Sequence, residues 1–367
     1  MRLGLSTLDR LPAAVARPDY DRGSIESGIV HLGIGAFHRG HQAVMTDRLL
    51  ARDPRWGIVG VSPRSTAARE ALLPQDGLYT VSAVDGSGAE RRVIGAHTDF
   101  LVTLEDPAAI PRRLANPAVR IVSTTVTEKG YSHDPATGAL NEDDADIRHD
   151  LLDLDRPRST IGTLVAGLKA RRAAGLAPFT VLACDNLPAN GRTLAGLVHR
   201  FAELVDPDLA SWIAGEVRFP STMVDRIVPA TTDADRAAVT AAIGMEDAWP
   251  IVTEPFCQWV IEDEFTLDRP AWEEVGAEFV ADVAPYEQQI YDMTTRKAVQ
   301  TYRGHDGLTH AAAFSPDGTL AATAGGSDNQ IHLWDVKTTK LEQKLTGTGR
   351  AVWSIGISED GRRIAWG

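Results

Sequence analysis

Apolar residues fall along this chain in two spacings. Short, nearly unbroken runs at 29–32 (IVHL), 56–61 (WGIVGV), 120–126 (RIVSTTV) and 179–183 (FTVLA) have the texture of strands covered on both faces, as in a parallel sheet. Between them the spacing lengthens. Residues 41–50 and 108–115 predict helices, and Ile161, Leu164, Val165 and Leu168 make an amphipathic stripe at i, i+3, i+4 and i+7. Lys169, Arg171 and Arg172 follow, where cations suit the negative end of a helix dipole. Residues 78–84 and 91–94 alternate around Asp85-Gly86-Ser87-Gly88, which predicts an inserted β-hairpin. The acidic, turn-rich stretch 134–155 predicts a surface excursion. Strands alternating with helices predict an α/β fold with a mostly parallel sheet.

The end of the first run carries the clearest chemistry. IVHL breaks into Gly33-Ile34-Gly35-Ala36-Phe37-His38-Arg39. A strand, a glycine turn and a helix start are the parts of a Rossmann-type dinucleotide site: Gly33 allows the turn, Gly35 lets a pyrophosphate approach the backbone, and helix-start amides face the anion. Residues 33–39 are therefore the candidate cofactor-binding set. Two glycines after a strand are equally an ordinary tight turn, and His38 stands where a strict GxGxxG has its third glycine. Past the second strand, where an acidic residue would read the ribose of NAD, the chain has Ser62, Pro63 and Arg64. Arg64 either meets a 2′-phosphate or lies in solvent.

Two further strand ends carry side chains suited to a substrate. The run 179–183 leads into Cys184-Asp185-Asn186-Leu187-Pro188-Ala189-Asn190-Gly191, and amides such as those of Asn186 and Asn190 can hold a hydroxyl or an oxyanion. The same residue types serve as turn and cap residues. Asp225 and Arg226 are adjacent and could fix polyol hydroxyls, or form a structural ion pair. Thr127-Glu128-Lys129-Gly130-Tyr131 follows another strand, and because an open α/β sheet exposes ligand-contacting groups at its strand ends this segment is expected to border the nicotinamide, with Glu128 and Lys129 equally open to a solvated-pair reading.

Composition narrows the class. The 367 residues suffice for two domains, and a net charge of −13 argues against nucleic-acid and anionic-membrane partners. Cys184 and Cys257 are far apart and outside any CxxC pattern, which predicts neither disulfide framework nor metal site and fits a reducing cytoplasm. The N-terminal MRLGLSTLDRLP has no apolar core of a secretory leader, and no run is long enough to span a membrane.

GAFHRGHQ at 35–42, CDNLPANG at 184–191, VRFPSTMVDRIVP at 217–229 and the later Glu254-Pro255-Phe256, Trp259 and Val283-Ala284-Pro285-Tyr286-Glu287 together resemble the mannitol dehydrogenase and fructuronate reductase family of polyol-specific long-chain dehydrogenases. The resemblance covers about 25–287. It implies hydride transfer between NAD, with NADP kept open, and a sugar alcohol or hexonate. It also implies that Asn186 polarises the reacting carbonyl and that Asp225 and Arg226 bind the substrate. In that family the next segment carries Lys-x4-Asn-x2-His with a lysine base; here those positions are Ile290, Thr295 and Ala298. Lys297, His305 and His310 are off the spacing and are given no catalytic role, so turnover by this chain is in doubt.

What replaces that segment repeats at an offset of 43. Tyr291-Asp292 pairs with Trp334-Asp335, and Asp317-Gly318 with Asp360-Gly361. RGH at 303–305, SPDG at 315–318 and LWD at 333–335 resemble WD40 propeller blades, about two of them. The expected organisation is a dinucleotide-binding domain at 1–287 and an all-β fragment at 290–367. The competing reading is a WD40-containing binding or scaffold protein, with a protein partner on the blades and a vestigial nucleotide module.

Overall fold

The computed structural model describes all residues except 87, 127, 135–136, 188, 287–288, 293–296, 303, 306–308, 326–329, 347–351, 353, 359 and 367, together with all side chains but those of 128–129, 289–292, 297–301 and 310. The chain divides into two compact units, Met1–Asp282 and Val283–Gly367.

In the first unit, five strands form one parallel sheet: β1 (Ile29–Leu32), β2 (Ile58–Ser62), β3 (His97–Val102), β4 (Ile121–Thr124) and β5 (Thr180–Ala183). Their spatial order is β3-β2-β1-β4-β5, with Leu32 level with Val61 on one side and Thr124 on the other. The chain moves outward from β1 in one direction and then returns to build in the other. The crevice between the carboxyl ends of β1 and β4 is therefore the topological switch point, where open α/β sheets bind ligands. Every residue of β1, β4 and β5 is buried, as their continuous apolar runs require.

The inserted hairpin is present as Tyr79–Asp85 and Gly88–Ile94, paired antiparallel; Ser87 lies outside the described residues. It is not free-standing. Val15–Ala16 pairs with one of its strands and Ile251–Thr253 with the other, making a separate four-stranded sheet. A third sheet joins Thr222–Asp225, Gln258–Glu262 and Glu278–Val280, and its first strand ends on Asp225.

Three expectations change. The first helix starts earlier than 41, as Ala36–Gly40, and breaks at His41 (φ −124°, ψ −88°) before resuming as Gln42–Asp47. The amphipathic stripe belongs to the helix Thr160–Ala173, but Gly162, Thr163, Ala166 and Gly167 are buried as well, so the helix is covered on most sides. Arg171 at its end does more than suit a dipole: the buried guanidinium donates to the carbonyls of Leu114, Asn116, Val119 and Ala177. Finally, the acidic stretch is only partly superficial. It contains the helix Ala145–Leu152, and the buried carboxylate of Asp150 accepts from Arg158 N, Ser159 N and Ser159 Oγ.

In the second unit, Thr309–Phe314, Leu320–Gly325, Gln330–Asp335 and Leu341–Thr346 form an antiparallel four-stranded meander. Two-stranded ribbons, Gln289–Asp292 with Lys297–Thr301 and Ile355–Ile357 with Ile364–Trp366, precede and follow it. Gly318 and Gly361 adopt φ of +70° and +69°, the hairpin-turn conformation expected of them. Glu287, Arg303 and the side chains of Lys297 and His310 lie outside the described residues.

Candidate functional site

Gly33 begins the site because no other residue fits there. Its φ is +100°, and a Cβ would lie 2.2 Å from the carbonyl oxygen of Thr125, just past β4. The turn is held from several sides. Gly33 N and Ile34 N both donate to Val61 O, at 2.9 and 3.3 Å, while Gly35 N and Thr125 Oγ1 donate to Gly33 O at 2.6 and 2.8 Å. His31 Nε2 lies 2.8 Å from Thr125 Oγ1 and 3.2 Å from Gly33 O, and its Nδ1 lies 2.8 Å from Ser123 Oγ. With the Thr125 hydroxyl donating to Gly33, the ring donates through Nε2 and accepts at Nδ1, a neutral tautomer. Burial lowers the His31 pKa to about 3, in keeping with that assignment.

Gly35 differs in kind. Its φ is −86°, and a Cβ there would meet nothing nearer than Gly33 O at 3.8 Å, projecting into a cleft instead. That cleft, about 560 Å³, is lined by Gly35, Ala36 and Phe37 from the helix start, by Thr125, and by residues 184–187 and 224–226 from the ends of two strands. A cradle that a side chain would fill, at the switch point and beside a helix start, fits a dinucleotide pyrophosphate.

The structure thus brings Gly35, Ala36, Phe37, Asn186, Asp225 and Arg226 to one cleft. Asn186 is exposed at it. Burial, reinforced by the Glu254 carboxylate, raises the Asp225 pKa above its usual value.

Other sequence-predicted residues face elsewhere. Ile34 packs its buried side chain over Gly60, where a Cβ would come within 2.5 Å of it. His38 is buried, stacked on His31 at 3.4 Å between ring centroids, with Nε2 3.2 Å from His97 Nε2. Arg39 is buried between aromatic rings, 4.2 Å from Trp249 and 5.4 Å from Tyr79, and donates to Trp249 O. Burial lowers its pKa to about 10. The side chains of His38 and Arg39 are therefore interior groups, and the main chain of Arg39 is engaged too, its N–H donating to Gly35 O and its carbonyl accepting from the Tyr79 hydroxyl.

Asn190 and Arg226, both expected at the substrate, are engaged by the protein itself. The Asn190 amide is buried and committed to backbone: Nδ2 donates to Asp185 O and Thr222 O, both at 2.8 Å, and Oδ1 accepts from Thr222 N at 2.9 Å. It ties the strand-end turn to the neighbouring strand and has no donor left for a substrate. Arg226 does not pair with Asp225. Its guanidinium donates to Gly40 O at 2.6 Å and to Glu254 O at 3.0 and 3.2 Å, so it fixes the helix end and the cleft wall.

Motif reading singled out the segments that hold Tyr131 and Asp185 but gave neither side chain a role. The buried Tyr131 hydroxyl donates to Asp185 Oδ2 and lies 2.8 Å from Thr124 Oγ1, and burial with the Asp185 charge raises its pKa well above the usual value. Polar residues inside otherwise apolar runs, such as His31, were the available signal. Thr127, Pro188 and the side chains of Glu128 and Lys129, expected near the same crevice, lie outside the described residues.

Comparison with known proteins agrees with this geometry. Residues 27–274 match the mannitol dehydrogenase Rossmann domain family, and residues 296–335 match the WD domain, G-beta repeat. The uncharacterized oxidoreductase YeiQ of Escherichia coli (strain K12) is 47% identical over 345 residues, covering 91% of this chain and 71% of that protein, so the match runs past residue 287. Mannitol 2-dehydrogenase of Cereibacter sphaeroides is 46% identical over 278 residues, 75% of this chain and 58% of that protein. The solved ternary complex of Pseudomonas fluorescens mannitol 2-dehydrogenase with NAD and D-mannitol superposes with a TM-score of 0.76 at 43% identity, covering 78% of this chain and 59% of that one. The chain thus spans less than two thirds of the length of these mannitol dehydrogenases. With the family matched over most of its length and the strand order and glycine turn in place, this chain belongs to the mannitol dehydrogenase family.

Proposed function

We propose that this chain is an NAD(P)-dependent polyol dehydrogenase module, moving hydride between a nicotinamide dinucleotide and a sugar alcohol or the matching keto-sugar. The observation that carries this reading is the glycine turn at the switch point, opening on a cleft shared by Asn186 and Asp225. Bound there, the cofactor supplies the hydride acceptor or donor. The amides of Ala36, Phe37 and His38 would hold the pyrophosphate, while Gly33 and Ile34 hold the turn against β2. Asn186 orients the reacting oxygen by donating from its amide, and Asp225 accepts from a neighbouring hydroxyl. Arg226 shapes the wall. The likeness to the complex with NAD and D-mannitol supports the choice of cofactor and substrate class.

Binding should be the more robust property. Its determinants precede residue 190, whereas Ile290, Thr295 and Ala298 stand where the family resemblance expects lysine, asparagine and histidine. We assign the dinucleotide role to the unit before residue 283. The blade-like unit is read as a surface for a protein partner, supported by the exposed Phe314, Leu341 and Trp366. The test is NADH consumption with fructose or fructuronate, read by absorbance, beside NADH binding. Binding with turnover supports the dehydrogenase. Binding without turnover reduces the assignment to a nucleotide-binding module, and no binding defeats it.

A further inference from the structure

The dinucleotide reading leaves the adenosine end undecided, and the segment after β2 addresses it. Gly33 N and Ile34 N both donate to Val61 O, so the glycine turn lies against the end of β2, with Ser62 next in the chain. In this fold that position reads the ribose beside the adenine, and an acidic side chain there accepts from the 2′-hydroxyl while repelling a 2′-phosphate. Here residues 62–66 are Ser-Pro-Arg-Ser-Thr, and the first carboxylate afterwards is Glu70, inside the helix Ala67–Leu72.

Arg64 is available. Its side chain is 82% exposed, and its one described partner is Asp146, 3.2 Å away across open surface. Exposed pairs of this kind are weak and screened, whereas a guanidinium binds a dianionic phosphate through charge-assisted, two-point hydrogen bonds. The nearby Arg69 is engaged with Glu105 and is not counted. The Ser62 hydroxyl, which accepts weakly from Ser65 N at 3.3 Å, keeps its own proton to donate.

Resting on the dinucleotide reading above, we propose that this chain accepts the 2′-phosphorylated cofactor, with Arg64 as the residue that recognises the phosphate and Asp146 as its resting partner. No acidic side chain stands among residues 62–66 to accept from a 2′-hydroxyl, and the cation that would meet a 2′-phosphate is in place.

The test is fluorescence titration of the full chain with NADH and NADPH at low salt. Wild type should bind NADPH at least as tightly as NADH. Arg64→Ala should weaken NADPH by about tenfold, the scale of one charge-assisted contact, and NADH by less than about twofold. Arg64→Glu should reverse the preference, and Asp146→Asn should tighten NADPH. Because Arg64 is exposed, the melting temperature should not move. Wild type that binds NADH but NADPH more than about tenfold more weakly overturns the proposal and leaves the dinucleotide reading standing, as does an Arg64→Ala variant that weakens both cofactors equally. Failure to bind either one overturns both.

Discussion

Replacing Gly33 with alanine separates the structural from the ligand-facing glycine. At φ +100° an L residue carries a conformational cost of about 1–2 kcal/mol. The new methyl would also lie 2.2 Å from Thr125 O and 2.8 Å from Thr125 C, main-chain atoms that no rotamer change can move. Relief requires β1 and β4 to part at the end of their ladder, where Leu32 is level with Thr124, and where Thr125 Oγ1, His31 and Gly35 converge on Gly33 O. Overpacking of that kind adds about 1–3 kcal/mol. A total near 3 kcal/mol in a unit of this size lowers the melting temperature by about 6–12 °C. Gly35→Ala is the control: its methyl enters the cleft, and stability should stay within about 0.5 kcal/mol of wild type. Thermal and urea melts followed by far-UV circular dichroism decide it. A Gly33→Ala protein melting with wild type would refute the account of the turn.

The remaining predictions concern side chains. Asn190→Ala should cost about 2–4 kcal/mol in a urea melt, since it strands Thr222 N and two buried carbonyls; loss of turnover at full stability would restore Asn190 to the catalytic set. Asn186→Ala, at the exposed cleft, should leave the melt unchanged and weaken any keto-sugar reduction; normal reduction would remove Asn186 from the site. His41 is buried with Nε2 against Gln258 O, and burial lowers its pKa to about 4. The unfolded chain therefore takes up this proton below about pH 6.5 while the folded one does not, so stability falls as pH drops from 6.5 to 4, by about 3 kcal/mol from this group, and is insensitive to it above 6.5. Urea melts across that range should show a shallower slope in His41→Gln, and an identical slope would disprove the assignment.

Much of the frame was legible because it is local. The apolar runs at 29–32 and 179–183 became β1 and β5, the alternation around Asp85 became a hairpin, and the repeat offset located the turns at Gly318 and Gly361. Side-chain roles were less so, since they depend on distant partners. Arg39 follows a glycine turn and looks like a phosphate ligand until Tyr79 and Trp249 enclose it. Asn190 and Arg226 each sit in a motif suited to substrate, yet carbonyls and an amide from Thr222, Gly40 and Glu254 claim them. Polarity in a motif says that a group needs partners, not whether the protein or a ligand provides them.

The central claim is that main chain exposed by the bend at residues 33–37 holds a dinucleotide. It is tested most directly by NADH fluorescence titration of wild type beside Gly35→Val, with both melts recorded. The account predicts saturable binding by wild type and its loss, by at least about 100-fold, in a variant of unchanged stability. Equal binding by the two proteins, or none by wild type, would contradict it.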